Sequence, residues 1–338
     1  MRLLIITQAV DTEHPILGFF HRWIEEFAKH CEKIHVICLE EGKHSLPVNV
    51  TIHSLGKEEG RDRIAYLHRS YKLIWQLRHE YDSVFVHMNQ IYVVLGGLLW
   101  RLMGKKIGLW YMHGHVSISL RIAEKLTHKI FTGSPESFRL KSDKVLITGH
   151  GIDTIRFAPQ TSPKDIDLIT VGRITESKNL TTLIDLLKEV RKTNPVSLTI
   201  VGGVVTEGER AYETKLKARI ESLGLVKAVH FAGRILQAEL PTTLNRAKIF
   251  VTVAQNGSLD KAVLEAMACG LPVVSMAEGT RSLFLKTRQV RTKDDFVTEV
   301  TNILKSDPPA FFVASNVANV KENHSLNNLI ALLVKESS

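Results

Sequence analysis

The sequence predicts an α/β protein made of two doubly wound parallel sheets, one in each half of the chain. The length is one reason: 338 residues, 44% hydrophobic and 23% charged, are enough for two ordinary cores. The second is that short β-rich apolar runs alternate with helical patterns, which gives parallel strands covered on both faces. The third is that this alternation starts afresh near the middle of the chain.

In order, Leu3 to Ile6 reads as a buried strand, Phe19 to His30 as a helix and Ile34 to Leu39 as the next strand, a strand, crossover helix, parallel strand unit. A basic helix near Arg61 to His79, a strand Ser83 to His87 and a helix Tyr92 to Met103 follow, then strands at Ile107 to Tyr111 and near Lys129 to Thr132. The second series runs through a strand Asp167 to Val171, a helix Asn179 to Thr193, a strand Ser197 to Val201, a helix Ala211 to Leu223 and a strand Val229 to Phe231. It closes with a helix around Ala238 to Arg246, a strand Ile249 to Val253, a helix ending near Cys269 and a strand Pro272 to Ser275. Between the series, GHGIDTIRFAPQTSPKD is rich in Gly, Pro and Ser and lacks periodicity, which places a linker near residues 155–165. The expected domains are residues 1–158 and 159–318, with a tail at 319–338 carrying an amphipathic helix from about Ser325 to Lys335.

The opening run MRLLIITQAV soon reaches Asp11 and Glu13, too brief for a signal sequence, and the longest apolar stretch, Ile91 to Trp100, falls well short of the roughly 20 residues of a spanning helix. Cys31, Cys38 and Cys269 form no CxxC and share no metal-ligand spacing with the histidines, so a reducing cytoplasm and no structural zinc are expected. A net charge of +9 suits a phosphate-rich partner, whether nucleic acid, an anionic membrane face or a phosphorylated substrate.

The most informative stretch is DLITVGRITESKN, residues 167–179, where a buried strand ends at Gly172 and Arg173 and Lys178 precede a helix. Ligands of such sheets bind outside the carboxyl ends of the strands, and two cations beside a helix N-terminus make a diphosphate site. In NGSLDKAVLEAMACGLPVV, residues 256–274, Gly257 and Ser258 lead into a helix whose N-terminus reads as a second anion-binding end. Glu265, among Val263, Leu264, Ala266, Met267 and Ala268, is expected to face solvent or a polar ligand such as a ribose. Gly202 with Gly203, and Gly233 with Arg234, follow buried strands as tight turns. PILGFFHRW puts Gly18 in the loop after the first strand, and LWYMHGHVS puts His113 just past a strand end, with His115 beside it. Residues 61–81 mix Arg and Lys with Ile, Leu, Tyr and Trp at helical spacing, and WRLMGKK at 100–106 adds a second basic cluster. Such helices either lie on anionic membranes or pack on the sheet with a solvated basic face.

VGRITESKN, followed by IVGG, FAGR and LEAMACGLPVV, resembles the C-terminal domain of the retaining family-four glycosyltransferases, and GHGIDTIRFAP resembles the segment before that family's domain junction. The resemblance implies the GT-B architecture, two Rossmann-like domains facing across a cleft, with a nucleotide-sugar donor held by the C-terminal domain and the acceptor by the N-terminal one. It implies that Arg173 and Lys178 hold the donor diphosphate and stabilise its growing charge as the glycosidic bond breaks. Glu265 would contact the donor ribose as the second Glu of the family's Glu-seven-residues-Glu motif. Gly172, Gly202, Gly203, Gly233 and Arg234 would let the backbone approach the diphosphate and base, Gly18 would lie in the acceptor and phosphate loop, and His113 would face the donor sugar.

The first Glu of the motif is absent: Gly257, Ser258, Leu259, Asp260 and Lys261 stand where the family has Glu, Gly, aromatic, Gly and aliphatic. Backbone N–H groups of these five remain available to sugar and phosphate, and Asp260 or Lys261 is the candidate replacement carboxylate or charge. No DxD motif stands at a strand end, so neither a metal nor a cofactor is expected. The resulting expectation is transfer of a hexosyl unit from a UDP- or GDP-linked donor to a glycan or lipid-linked acceptor in cell-envelope polysaccharide or glycoconjugate synthesis, with peripheral contact to an anionic membrane through the basic N-terminal helices and no nucleic acid partner. A nucleotide-sugar 2-epimerase would need carboxylates near the sugar, and a non-catalytic nucleotide-sugar-binding scaffold draws support from the altered motif. A dinucleotide oxidoreductase lacks GxGxxG after either first strand.

Overall fold

The computed structural model describes residues 1–255, 257–284, 290–306 and 310–337. The chain divides into two compact units, one of residues 1–153 with 323–338 and one of residues 154–322.

The first unit runs β1 (Arg2–Val10), α1 (Phe20–Ala28), β2 (Lys33–Glu41), β3 (Val50–Ser54), α2 (Arg63–Gln76), β4 (Ser83–His87), α3 (Ile91–Leu102), β5 (Lys106–Trp110), α4 (Ile118–Leu126), β6 (Lys129–Thr132) and β7 (Val145–Ile147), and takes back the last helix of the chain, Leu326–Ser337. Its strands form one seven-stranded sheet in the order β3-β2-β1-β4-β5-β6-β7, parallel throughout, with Ile5 of β1 opposite Val36 on one side and Phe85 on the other. The central strands are near-continuous apolar runs because both faces are covered. On one face, Phe20, Trp23 and Phe27 of α1 pack with Phe85, Trp110 and Phe131. On the other, α2, α3 and α4 bring Ile74, Val93, Trp100, Leu120 and Ala123 over Leu4, Ile6, Val84 and Leu109.

The second unit runs β8 (Ile166–Val171), α5 (Leu180–Val190), β9 (Leu198–Val201), α6 (Glu207–Ser222), β10 (Val229–Gly233), α7 (Leu240–Asn245), β11 (Ala247–Thr252), α8 (Lys261–Ala268), β12 (Val273–Ser275), α9 (Lys293–Lys305) and α10 (Ala310–Asn323), and the returning last helix is α11. Its five strands are again parallel, in the order β10-β9-β8-β11-β12. The two doubly wound parallel sheets expected from the sequence are therefore present.

The structure adds β3, α4, β7, α9 and α10, which the sequence reading leaves out, and lengthens β1 to Val10. It also starts α6 at Glu207 instead of near Ala211, because Thr206 and Glu209 close a capping box there. Cys31, Cys38 and Cys269 are free and buried, and burial pushes their thiols up to about 11, 12 and 12. Among the described residues no helix is long and apolar enough to cross a membrane.

Candidate functional site

The second sheet reverses its strand order at β8, with β9 and β10 on one side and β11 and β12 on the other. Loops leaving β8 and β11 diverge at such a switch point and open a crevice at the carboxyl ends of the strands. Gly172, Arg173, Lys178 and the stretch Gly257 to Asp260, all singled out from the sequence, lie in these loops.

Gly172 follows β8 with φ of +148°. A Cβ there would sit 2.5 Å from Lys178 Cε, so the absence of a side chain is what lets Lys178 fold back across the strand end. Gly202 has φ of +145°, and a Cβ on it would lie 1.9 Å from the Gly172 carbonyl oxygen. The Gly172 amide donates to the Val201 carbonyl at 2.9 Å and the Gly202 amide to the Gly233 carbonyl at 2.8 Å, which lashes the three strand ends together. Gly203 and Gly233 differ: a Cβ at Gly203 would meet nothing nearer than Arg234 Cβ at 3.9 Å, and one at Gly233 nothing within 4 Å. The four glycines thus divide into two packed against the chain itself and two that leave backbone open to a ligand.

Lys178 spans the switch point, its Nζ 2.5 Å from Asp260 Oδ2, with the two side chains 18% and 9% exposed. The loops are also joined by the Gln255 amide, which donates to the Ser177 carbonyl at 2.8 Å. Asp260 precedes α8, and its Oδ1 accepts the Ala262 amide at 3.2 Å, capping the helix. One N–H group of the α8 N-terminus, the end expected to bind an anion, is thus taken by the chain's own carboxylate. Arg173 is likewise partnered, its Nη1 lying 3.0 Å from Glu209 Oε1. Glu209 also accepts the Val205 amide at 2.6 Å and belongs to the α6 capping box.

Of the two surroundings expected for Glu265, solvent is excluded, and the carboxylate is met by polar groups of the chain itself. It is 3% exposed, accepts Gln237 Nε2 at 2.6 Å and is ion-paired with Lys261 one turn earlier. The i,i+4 spacing sets Lys261 over it, so the buried carboxylate has both a charged and a hydrogen-bonding partner. Lys261 Nζ also lies 5.8 Å from the centroid of the Phe157 ring. Gly257 takes φ of +65°, and a Cβ on Gly279 would be 2.2 Å from the Ser258 carbonyl oxygen, so the turn into α8 rests directly on the Gly279 backbone. Leu259 points into the core at 4% exposure. Asn256, which opens this segment, lies outside the described residues.

In the first unit, Gly18 sits in the loop before α1, its amide donating to the His14 carbonyl at 3.2 Å, and a Cβ there would be 2.9 Å from the Thr12 carbonyl oxygen. His113 is exposed three residues beyond β5, and its Nδ1 accepts the His115 amide at 3.2 Å. The sequence reading missed His87, the last residue of β4. Its ring is 1% exposed, stacks on Phe20 at 3.8 Å and places Nδ1 3.3 Å from Thr7 Oγ1. Burial pushes its pKa down to about 3, so the imidazole is neutral. Glu209 and Gln237 were missed as well; the Thr206 to Glu209 spacing was a signal for the first, whereas nothing around Gln237 marks it.

Lys178 and Arg173 are thus each held in a charge-assisted pair with a buried carboxylate, Asp260 and Glu209.

Residues 151–307 match the family model of the glycosyl transferases group 1. Over 158 residues the chain is 27% identical to the mannosylfructose-phosphate synthase of Agrobacterium fabrum, which is 43% of this chain and 35% of that enzyme. Over 144 residues it is 28% identical to the lipopolysaccharide core biosynthesis mannosyltransferase LpsB of Rhizobium meliloti, 39% of this chain and 40% of that protein. The similarity therefore spans two fifths or less of the length of these curated relatives. Solved structures match over the whole chain. Anabaena HepE in complex with UDP superposes with a TM-score of 0.77 at 18% identity, over 99% of both chains, and HepE is also known in complex with UDP-glucose. Sucrose-phosphate synthase of Thermosynechococcus elongatus gives a TM-score of 0.77 at 13% identity, over 99% of this chain and 98% of that one. Residues 151–307 are thus a domain of the glycosyl transferases group 1 family, carried on a chain with the GT-B fold.

Proposed function

We propose that this chain is a retaining glycosyltransferase that moves a hexosyl unit from a nucleotide-sugar, UDP-linked in preference to GDP-linked, to a glycan or lipid-linked acceptor without a bound metal. The observation that carries the reading is the pair of cations at the β8/β11 switch point, Lys178 and Arg173, each set beside a strand end that only glycine can form. On binding, the donor diphosphate takes Lys178 from Asp260 and Arg173 from Glu209, and the open backbone at Gly203 and Gly233 accommodates the rest of the nucleotide. As the glycosidic bond breaks, negative charge gathers on the leaving diphosphate, and the two fixed cations stabilise it more than they stabilise the intact donor. With the cations in that role no metal is needed at the diphosphate.

Glu265, fixed by Gln237 and Lys261, is assigned to the ribose hydroxyls, and His113 to the donor sugar; no side chain is assigned as a covalent nucleophile. The relatives support sugar transfer by their names, HepE supports uridine through its UDP and UDP-glucose complexes, and LpsB supports an envelope glycan as the product.

Isothermal titration with UDP, GDP and ADP tests the donor site. UDP is expected to bind, and Arg173→Ala and Lys178→Ala are each expected to weaken it by about tenfold to a hundredfold, the range of one charge-assisted hydrogen bond. No binding by any nucleotide sinks the reading. Proton NMR of the product formed in the presence of EDTA tests the rest: inversion at the anomeric carbon, or loss of turnover with EDTA, overturns the corresponding part, and binding without turnover identifies a non-catalytic scaffold.

A further inference from the structure

The three helices α2, α3 and α4 form one layer over the first sheet. Tyr71 Oη of α2 donates to the Leu95 carbonyl of α3 at 2.9 Å, and Arg101 of α3 donates to the Leu126 carbonyl of α4 at 3.2 Å. Gly97 brings α3 and α4 close, since a Cβ there would lie 3.0 Å from Leu126 Cβ.

The outer side of this layer is apolar at helical spacing. On α3, Leu95, Leu98 and Leu102 are 42%, 63% and 78% exposed, a line of aliphatic side chains one turn apart. Alongside it α4 presents Ile118 at 79% and Ile122 at 43%, and α2 presents Ile64 at 77% and Trp75 at 54%. Isolated exposed leucines need no explanation, but exposed aliphatic side chains repeated on three helices of one layer mark an interaction surface.

The charge within the three helices is mostly positive, with Asp62 at the cap of α2 and Glu59, 4.0 Å from Arg69, as acidic neighbours. The spans of α2 to α4 carry Arg63, Arg69, Lys72, Arg101, Arg121 and Lys125 against a single carboxylate, Glu124, which is engaged by Ser142 at 2.8 Å and Lys144 at 3.6 Å. At one edge the Arg78 guanidinium stacks 4.5 Å from the Trp75 ring centroid, an amphipathic aromatic with a cation at its rim. A protein partner is met by charges of both signs; an aliphatic ridge ringed by cations and edged by Trp is complementary to lipid with anionic headgroups.

We propose that the outer face of α2, α3 and α4 is the docking surface for an anionic lipid bilayer, with the α3 ridge inserted at the level of the acyl-chain boundary and the surrounding Lys and Arg among the headgroups. The inference concerns the first unit alone and stands whether or not the second unit binds a nucleotide.

Co-sedimentation of the full chain with vesicles of phosphatidylcholine, with and without equimolar phosphatidylglycerol, tests it. The protein is expected to pellet with the phosphatidylglycerol vesicles at low salt, to partition less as salt rises, and to lose about a hundredfold in partitioning when Leu98→Glu and Leu102→Glu are combined. Both leucines are largely solvent-exposed, so circular dichroism and Tm should be unchanged in that variant. Val226→Glu, at a 60% exposed site of the second unit, serves as the control and should pellet like the parent. Failure of the parent to bind phosphatidylglycerol vesicles, or equal loss in the control, overturns the proposal. So does concentration-dependent self-association in sedimentation velocity that vanishes in the double variant, which would make a second copy of the chain the occupant.

Discussion

Asp260 performs two tasks with one carboxylate, capping α8 through Oδ1 and neutralising Lys178 through Oδ2. The two can be separated, because asparagine caps a helix about as well as aspartate but carries no charge. If Lys178 is to hold a phosphate, Asp260 competes with that phosphate, and its charge also repels the incoming diphosphate. Asp260→Asn is therefore expected to tighten UDP binding about tenfold in calorimetry at unchanged Tm, the scale of one charge-assisted contact. Weaker binding would mean instead that Asp260 touches the ligand. At this scale the sequence discloses both members of the Lys178–Asp260 and Lys261–Glu265 pairs but only one member of Arg173–Glu209 and Glu265–Gln237. Arg173, Lys178 and Glu265 stand out because a cation or carboxylate beside a strand-end glycine, or inside an apolar helix, has a recognisable local setting. Glu209 and Gln237 do not, since Glu209 lies 36 positions from Arg173 and Gln237 lies 28 from Glu265, and only the fold brings them together.

Elements were legible to the degree that both of their faces are covered. Strands β1, β2, β4 and β5 carry unbroken apolar runs that only a buried parallel strand explains. The strands left out, β3 and β7, are the two edges of the first sheet, where one side of the ladder is unpaired, and β7 has only three residues. Of the helices left out, α4 buries only Leu120 and Ala123. Where a local rule was available, as in the capping box that opens α6, the boundary could have been set correctly. The strand-end glycines are the element-scale feature with the sharpest consequence. A methyl group on Gly202 meets the Gly172 carbonyl oxygen at 1.9 Å, and both neighbours are backbone that cannot turn aside. Gly202→Ala should cost about 3 kcal/mol or more through combined clash and unfavourable φ, read as a loss of denaturant midpoint at unchanged m. A cost under about 1 kcal/mol would show that the β8 and β9 ends can part easily, against the view of a rigid cradle.

At the scale of the whole molecule, the chain leaves its first unit after residue 153, builds the second, and returns, so that the first unit is completed by residues 323–338. The return is a structural commitment. Leu326, Leu329, Ile330 and Leu333 are each 1% exposed or less, packed in the same core as Phe20, Trp23 and Phe27 of α1. The Ile152 amide donates to the His324 carbonyl at 2.7 Å, the Leu326 amide to the Ile152 carbonyl at 2.8 Å, and Lys129 pairs with Glu336 at 3.1 Å. Four buried aliphatic side chains are worth roughly 6–12 kcal/mol, the same order as the roughly 5–15 kcal/mol that holds an ordinary domain together. A chain ending at Glu322 should therefore lose the first unit selectively. Hydrogen exchange read by mass spectrometry gives that resolution: amides of β1, β2, β4 and β5 are expected to lose protection by orders of magnitude, while those of β8, β9 and β11 keep it, because the second core contains no residue of α11. Leu329→Ala in the full chain should give a milder version of the same asymmetry, about 2–5 kcal/mol. Equal loss in both units would mean that they fold as one cooperative body, and no loss would mean that α11 covers the first sheet without supporting it.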